Sequence, residues 1–299
     1  MSRFGSRSRV STYLSAWMPL GDEPFSITGG NETVTVGGYT YVVFTSSGTA
    51  TLNNAIATTT VGVCTVGGGG GAGYDIGGGG GGGELDLFAN FTVTQNLTIT
   101  IGASGAFAAS PSVKGSNGGT STVVEGTTLQ SALGGGGGGS YSDNVGLTGG
   151  SGSGGSGSGG AGGGASGSNT FAGGTGAVNG AGLIGGGGGG ATAVGVSGAT
   201  TGNGGQGYAL ATIDANLTSA NFPTTLTGKT YVSSGGAGGV YNLTNAPLGG
   251  TNAGDGGKYL PSSVNATSPT SYGCGGGGGQ LNTAGTSGYA GLVILRYAV

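Results

Sequence analysis

The sequence lacks the side chain on which much hydrolytic and metal chemistry depends. None of its 299 residues is His, and only ten are Asp or Glu. Without an imidazole, neither a Ser-His-Asp triad nor an ordinary zinc site can be assembled. We therefore expect a protein that is not an enzyme and that requires no cofactor.

Two short groupings resemble chemical sites. Glu84 and Asp86 are two residues apart on a predicted strand, so their carboxylates share a face and could bind Ca²⁺ with help from carbonyl oxygens. The sequence favours a solvated strand face instead. Gly228-Lys229-Thr230 resembles the end of a P-loop, but Pro223 stands where that motif requires Gly. Nucleotide binding at this segment is therefore excluded.

Tyrosines in loops are better candidates for non-covalent recognition. A Tyr ring offers a broad apolar face and one hydroxyl, which suits stacking on a sugar while hydrogen-bonding to its substituents. Loops carry recognition when a rigid scaffold holds them. For each Tyr, the alternative is a ring that covers a core edge with its hydroxyl in water. The predicted contact residues are Tyr74, Asp75, Tyr141, Asp143, Tyr241 and Tyr272.

The first 28 residues differ in composition from the rest of the chain. They hold three of the seven Lys and Arg residues, the only Trp and several other aromatic residues. This composition is typical of interface hot spots and predicts a docking arm over residues 1–30. A frayed terminus is the alternative. The predicted docking residues are Arg3, Phe4, Arg7, Arg9, Tyr13, Trp17 and Met18.

A period-two pattern predicts strands between residues 31 and 125. In residues 91–101, apolar side chains alternate with Thr, and Gln95-Asn96 interrupts the pattern, which indicates a hairpin with a bulge. From residue 134 to 279 the strand signal nearly vanishes, apart from residues 208–213. The apolar strand at residues 292–297 needs a sheet edge, so we predict that it joins the early strands.

Glycine supplies 82 residues, many of them in pure runs of five to seven. In an extended left-handed helix with three residues per turn, the backbone polar groups point outward, and close lateral packing leaves no room for a Cβ. The runs therefore predict a bundle of polyglycine helices, whereas the tract 149–167 has the Ser-rich composition of a linker. The pure runs are residues 67–71, 77–83, 134–139, 185–190 and 275–279.

The predicted fold is thus mostly β and irregular, with no significant α-helix. A small β framework comprises residues 31–125 and 288–299, and a glycine-run core comprises residues 126–287. Only seven Lys and Arg residues and a net charge of −3 argue against nucleic-acid binding. No apolar stretch reaches the ~18 residues of a membrane span, and no signal-peptide core is seen, so we expect synthesis in a cytoplasm.

An ordered series of short strand-like sequence segments, or phrases, resembles the glycine-rich domain family of bacteriophage virion proteins over roughly residues 31–299. The resemblance implies a β framework and a polyglycine core similar to those of tail-fibre tip adhesins, which bind host surface molecules through loops between the helices. The phrases are Tyr41-Val42-Val43-Phe44-Thr45-Ser46-Ser47-Gly48-Thr49, residues 61–66 entering the first run, Leu97-Thr98-Ile99-Thr100-Ile101-Gly102 and Gly291-Leu292-Val293-Ile294-Leu295-Arg296-Tyr297.

Two functions stay open under this resemblance, both on the exterior of a phage particle assembled in the host cytoplasm. The first is a tail-fibre or tail-tip adhesin that contacts a host glycan or outer-membrane protein. The second is a purely structural component, such as a head fibre, a decoration protein or a neck or tail accessory. In both, residues 1–28 bind other virion proteins, and a trimer is the first expectation for a fibre.

Overall fold

The structure is a computed structural model that describes residues 24–179 and 182–299. These residues form short strands and a single helical turn, so the predicted mostly β and irregular fold is confirmed. The elements are β1 (Ser26–Thr28), β2 (Glu32–Val36), β3 (Tyr39–Phe44), β4 (Gly48–Asn53), β5 (Thr60–Val66), β6 (Leu85–Thr92), β7 (Leu97–Thr100), β8 (Ser121–Glu125), β9 (Thr127–Ala132), β10 (Ala177–Asn179), β11 (Gly182–Ile184), β12 (Tyr208–Ala209), α1 (Leu210–Ile213), β13 (Tyr231–Val232), β14 (Val240–Asn242), β15 (Lys258–Leu260) and β16 (Leu292–Ala298).

The C-terminal strand lies in the middle of the framework sheet, whose order is β2-β3-β16-β5-β6. β16 is antiparallel to both neighbours, with Ile294 opposite Val43 on one side and Cys64 on the other. The predicted closure of the C-terminus onto the early strands is confirmed. β3 and β16 are almost continuously apolar because both faces of this sheet are covered.

Alternate residues of the framework sheet enter two separate cores. One face packs on a second sheet of order β1-β4-β7-β8-β9, and the other packs on the segment 208–232. The first core contains Val42, Phe44, Val63, Leu97, Ile99, Val123, Val293 and Leu295. The second contains Tyr41, Val43, Cys64, Leu210, Leu217, Phe222, Leu226 and Ile294.

The alternation in residues 91–101 is confirmed, but the predicted hairpin is wrong. Val93, Leu97 and Ile99 are buried while the intervening Thr side chains are exposed. However, β6 belongs to the framework sheet and β7 to the second sheet, so Gln95-Asn96 lies where the chain crosses between sheets.

The predicted strand at residues 208–213 is also only partly present. Just Tyr208–Ala209 pairs as a strand, and α1 follows immediately. Five further short strands, β10, β11, β13, β14 and β15, lie in the stretch where the sequence pattern showed almost none. Strands of two or three residues are too short to show an alternating pattern in the sequence.

A polar anchor ties the segment 208–232 to the framework sheet. The Asp214 carboxylate accepts hydrogen bonds from the Tyr41 hydroxyl at 2.7 Å and from Arg296 Nη1 at 2.6 Å. Burial raises the pKa of Asp214, but the Asn216 N–H, Tyr41 and Arg296 outweigh it, and the pKa is lowered. The Arg296 guanidinium lies 4.0 Å from the Phe88 ring centroid. Gly62 makes room for this arginine, since a Cβ there would lie 3.0 Å from Arg296 Cγ.

The glycine runs pack side by side as the sequence predicts. In the run 77–83, successive backbone N–H groups donate in rotation to three different segments, with Gly77, Gly80 and Gly83 bonded to residues 279, 276 and 273. None of the five pure runs contains a positive φ. Residues three apart in this run bond to the same neighbouring segment, as expected for a left-handed helix with three residues per turn. The predicted polyglycine bundle is therefore confirmed.

The run 77–83 is the central helix of this bundle. It donates hydrogen bonds to three neighbouring segments and accepts them from three others, at N···O distances of 2.8–3.0 Å. The six neighbours are the segments 67–73, 133–139, 151–154, 186–189, 236–239 and 273–279. Every N–H group of the central run and the carbonyls of residues 77–82 therefore have backbone partners, without any side chain.

Part of the tract predicted to be a linker belongs to this bundle. Ser151 and Gly154 donate backbone hydrogen bonds to the central run, and Ser151, Ser153 and Ser156 are fully buried. The Ser153 hydroxyl donates to the Gly137 carbonyl at 2.6 Å. A linker prediction from Ser content was wrong because a buried hydroxyl can bond to a neighbouring backbone carbonyl.

The end of the predicted docking arm belongs to the β framework. β1 pairs with β4, and the Phe25 ring packs edge-on against Tyr297 at 4.8 Å between centroids. The framework therefore begins by Phe25 rather than at residue 31. Residues 1–23, which include every predicted docking residue from Arg3 to Met18, lie outside the described residues.

Candidate functional site

Loops from distant parts of the chain meet at the end of the bundle opposite the sheets. The chain leaves β5 as the segment 67–73, turns at residues 74–76 and returns as the run 77–83 into β6. Gly77 and Gly78 bond to residues 239, 279 and 139, so the loops that follow those residues lie beside this turn. We call this surface the far end.

Tyr74 and Tyr141 are neighbours at the far end. The Tyr141 N–H donates to the Tyr74 carbonyl at 3.2 Å, and the Tyr74 hydroxyl donates to the Asn282 carbonyl at 2.8 Å. Tyr74 is half-buried, whereas Tyr141 is 43% exposed. The hydroxyl of Tyr74 is thus used in joining two loops, and Tyr141 presents the freer ring.

The two predicted aspartates have different roles. Asp75 is only 8% exposed, and its carboxylate accepts the Asn282 N–H at 3.1 Å, so it holds the turn together. Asp143 is exposed and pairs with Lys114 at 3.1 Å. The far end therefore carries a neutralised surface ion pair rather than a free negative charge.

Tyr241 stacks on a tyrosine that the sequence analysis missed. β14 and β15 pair in parallel, which places Tyr241 beside Tyr259, with ring centroids 5.7 Å apart and planes at 14°. Tyr259 is 38% exposed and Leu260 is 37% exposed. The pairing joins two consecutive strands of only three residues each, in parallel, across the connection 243–257, and no local pattern indicates it.

A shallow cavity opens in the loop that directly follows β14. Its volume is about 380 Å³, and hydroxyl and amide side chains share its lining with almost as many apolar ones. The lining residues are Thr200, Thr201, Asn203, Leu243, Thr244, Asn245, Ala246, Pro247 and Leu248. Polar groups of this kind, next to stacked aromatic rings, suit hydrogen bonding to a hydroxyl-rich partner.

Tyr272 does not belong to this surface, so its predicted contact role is corrected. It is 6% exposed, its hydroxyl donates to the Thr225 carbonyl at 2.9 Å, and its ring packs edge-on against Tyr289. Burial raises the pKa of Tyr272 to about 12. Tyr272 precedes the last glycine run at its sheet end, where the segment 208–232 covers it.

Comparison with protein families agrees with this architecture. The sequence model of the family described as glycine-rich domain matches residues 45–298. The chain belongs to this glycine-rich domain family. A search of curated proteins finds no match. The predicted resemblance is therefore confirmed for the glycine-rich domain itself.

In this glycine-rich domain, Glu84 and Asp86 are not a solvated strand face. Glu84 is 5% exposed and accepts hydrogen bonds from the Ser168 N–H at 2.6 Å and the Leu133 N–H at 2.9 Å. Burial, followed by the charge of Glu84, raises the pKa of Asp86 to about 6. The prediction was wrong because the start of the third glycine run and the turn at residues 166–169 cover this strand end.

No helix among the described residues has the length and apolar character to cross a bilayer.

Proposed function

We propose that the protein is a structural component on the exterior of a bacteriophage particle, and specifically a tail-fibre or tail-tip adhesin. In this proposal its N-terminal residues bind other virion proteins. The far end contacts a glycan or an outer-membrane protein on the host surface. Membership of the glycine-rich domain family and the resemblance of its strand phrases to phage proteins support this assignment.

The polarity of the fold is the observation that carries the proposal. Phe25 packs on Tyr297, near the end of β16 that points away from the bundle, whereas the exposed tyrosines lie beyond the glycine runs. About 17 Å of strand and about 20 Å of polyglycine helix separate the two ends. An attachment segment and a contact surface at opposite ends of a rigid body suit an adhesin.

The chemistry of the far end favours a hydroxyl-rich partner. Tyr141 and the stacked Tyr241 and Tyr259 offer flat apolar faces, and the cavity after β14 offers hydroxyl and amide groups. The bundle beneath them is held by backbone hydrogen bonds, so the loops are preorganised and lose little entropy on binding.

Host adsorption of particles that carry variants would test the contact surface. Replacing Tyr141 and Asp143 together with Ala, and Tyr259 with Ala in a second variant, should lower the adsorption rate without changing the amount of protein per particle. Val194→Ala is the matched control, because Val194 is 57% exposed in a turn at the sheet end. Normal adsorption by both far-end variants would favour the purely structural role.

Truncation tests the attachment segment. Because β1 is part of the framework, the deletion should remove residues 1–23 only and leave a body with an unchanged Tm. The truncated protein should be absent from purified particles. Its presence at normal copy number would rule out attachment through this segment, and a label on each end of the chain would locate the protein on tail or capsid.

A further inference from the structure

Oxygen-bearing side chains converge where the two sheets meet the glycine bundle. Thr65 on β5 lies directly opposite Asp86 on β6, so the two side chains share the face that looks toward β9. Gln130 on β9 reaches across, and its Nε2 donates to the Leu87 carbonyl at 3.2 Å. Glu84 precedes Asp86 by two residues on the same side of the chain. We call these four residues the junction cluster.

The junction cluster contains more acceptors than donors. The Asp86 carboxylate has no hydrogen bond or ion pair with any described residue. Thr65 is fully buried, and its hydroxyl has no partner, while Gln130 Oε1 is buried and also without one. Unpaired buried oxygens next to a carboxylate are costly unless a cation or donor satisfies them.

The surrounding chain holds this cluster in place without neutralising it. The two N–H donors on Glu84 come from Leu133 and Ser168, and Gly167 lets the turn approach, since its φ is +99° and a Cβ there would overlap the Glu84 carboxylate. The two ion pairs of the described residues are Lys114–Asp143 and Arg296–Asp214, so neither involves Glu84 or Asp86.

We infer that the junction cluster is a calcium site, with Asp86 and Glu84 as the charged ligands and Thr65 Oγ1 and Gln130 Oε1 as neutral ones. All four groups are hard oxygen donors, which Ca²⁺ prefers, and its flexible coordination admits water in the remaining positions. Among the described residues no three His, Cys, Asp or Glu side chains come together as a metal site, so the two neutral oxygens are essential to the assignment.

The site would join three parts of the fold. Asp86 and Thr65 belong to the framework sheet, Gln130 to the second sheet, and Glu84 directly follows the central glycine run. Bound Ca²⁺ would therefore fasten the sheets to each other and to the base of the bundle. With only two carboxylates, we expect a dissociation constant of about 1 mM, in the range of extracellular calcium modules.

The test measures the Tm of the full chain with CaCl₂ and with NaCl at matched ionic strength. At 10 mM CaCl₂ the Tm of the wild type should rise by about 2–5 °C. Asp86→Asn should abolish the rise, and Gln130→Glu, which adds a third carboxylate, should enlarge it. Asp143→Asn should respond as the wild type does, because Asp143 lies at the far end.

Two results would overturn the assignment. One is a wild type whose Tm responds equally to CaCl₂ and NaCl, and the other is an Asp86→Asn variant that keeps the calcium-specific rise. If Asp86→Asn does not fold, Gln130→Glu and a calorimetric titration of the wild type with CaCl₂ decide. An unchanged calcium response in Gln130→Glu, or no saturable heat in the wild type, would refute the site.

Discussion

Gly80→Ala is the sharpest test of the polyglycine bundle. Gly80 lies in the middle of the central run, is fully buried and has no positive φ, so the backbone conformation itself would accept Ala. The obstacle is space. A Cβ at this position would press on the carbonyl oxygen of Gly70 and would lie 2.7 Å from its carbon and 3.0 Å from the Gly276 nitrogen.

The free-energy cost follows from these distances. Carbon atoms pack at about 3.5 Å, and the Gly70 carbonyl oxygen is closer to the Cβ than its carbon, so the segment 67–73 would have to move by about 1 Å. Overpacking of this kind costs about 1–3 kcal/mol. The movement also weakens the hydrogen bonds from Gly70 and Gly73 to the central run and the one from Gly67 to Glu84, which follows that run. Loss of one or two of these hydrogen bonds raises the cost by about 1–2 kcal/mol. Ala also stiffens the unfolded chain, which reduces the cost by about 0.5 kcal/mol.

We therefore expect Gly80→Ala to lower the free energy of unfolding by about 2–4 kcal/mol, which lowers the Tm by about 4–10 °C. Thermal unfolding of purified protein would measure it. Gly164→Ala is the matched control, since its Cβ would meet nothing closer than Thr148 Oγ1 at 3.5 Å. Equal Tm values for the two variants would mean that the runs are linkers and that the packing argument fails.

Three further changes address the framework. Asp214→Asn should destabilise the protein by about 1–3 kcal/mol at neutral pH. Because folding lowers the pKa of Asp214, this difference from wild type should shrink as the pH falls below about 4. Urea titrations at several pH values would measure it. Gly62→Val should displace Arg296 from Phe88 and lower the free energy of unfolding by about 1–3 kcal/mol in the same urea titrations. Gly48→Ala is the control and should be neutral, because open space surrounds Gly48. Deleting residues 292–299 should abolish cooperative unfolding, because β3 and β5 would lose the strand between them, and a folded truncated protein in circular dichroism would contradict this.

The sequence predicts the framework better than it predicts the far end. Long strands such as β5 and β16 are recognisable from their own runs of apolar residues. Pure glycine runs are recognisable as well, because close backbone packing is one of the few ordered structures that requires them. The strands β14 and β15 carry no such pattern, because each is only three residues long, and their parallel pairing has no turn signal between them as a hairpin would. The stacking of Tyr241 on Tyr259 depends entirely on that pairing.

Burial of individual side chains was the least predictable property. Tyr272 and Glu84 stand beside glycine runs just as Tyr141 does, yet the first two are buried and the third is exposed. The difference comes from what lies over them: the segment 208–232 covers Tyr272, and the turn at residues 166–169 covers Glu84. Such coverage is a property of the assembled fold and leaves no local mark in the sequence.

The uniformity of the glycine helices has a consequence for how the chain selects one alignment. A three-residue helix of identical units coincides with itself after a shift of one residue, about 3.1 Å, and a third of a turn. A run that slipped by one residue would meet equivalent backbone partners, so the bundle hardly distinguishes among alignments. The choice must come from the flanks, where Val66 pairs with Leu292 and Leu85, and from hydroxyls such as Ser153 that need one particular carbonyl. The strands thus fix the alignment of the glycine helices, and we expect them to form before the helices pack during folding.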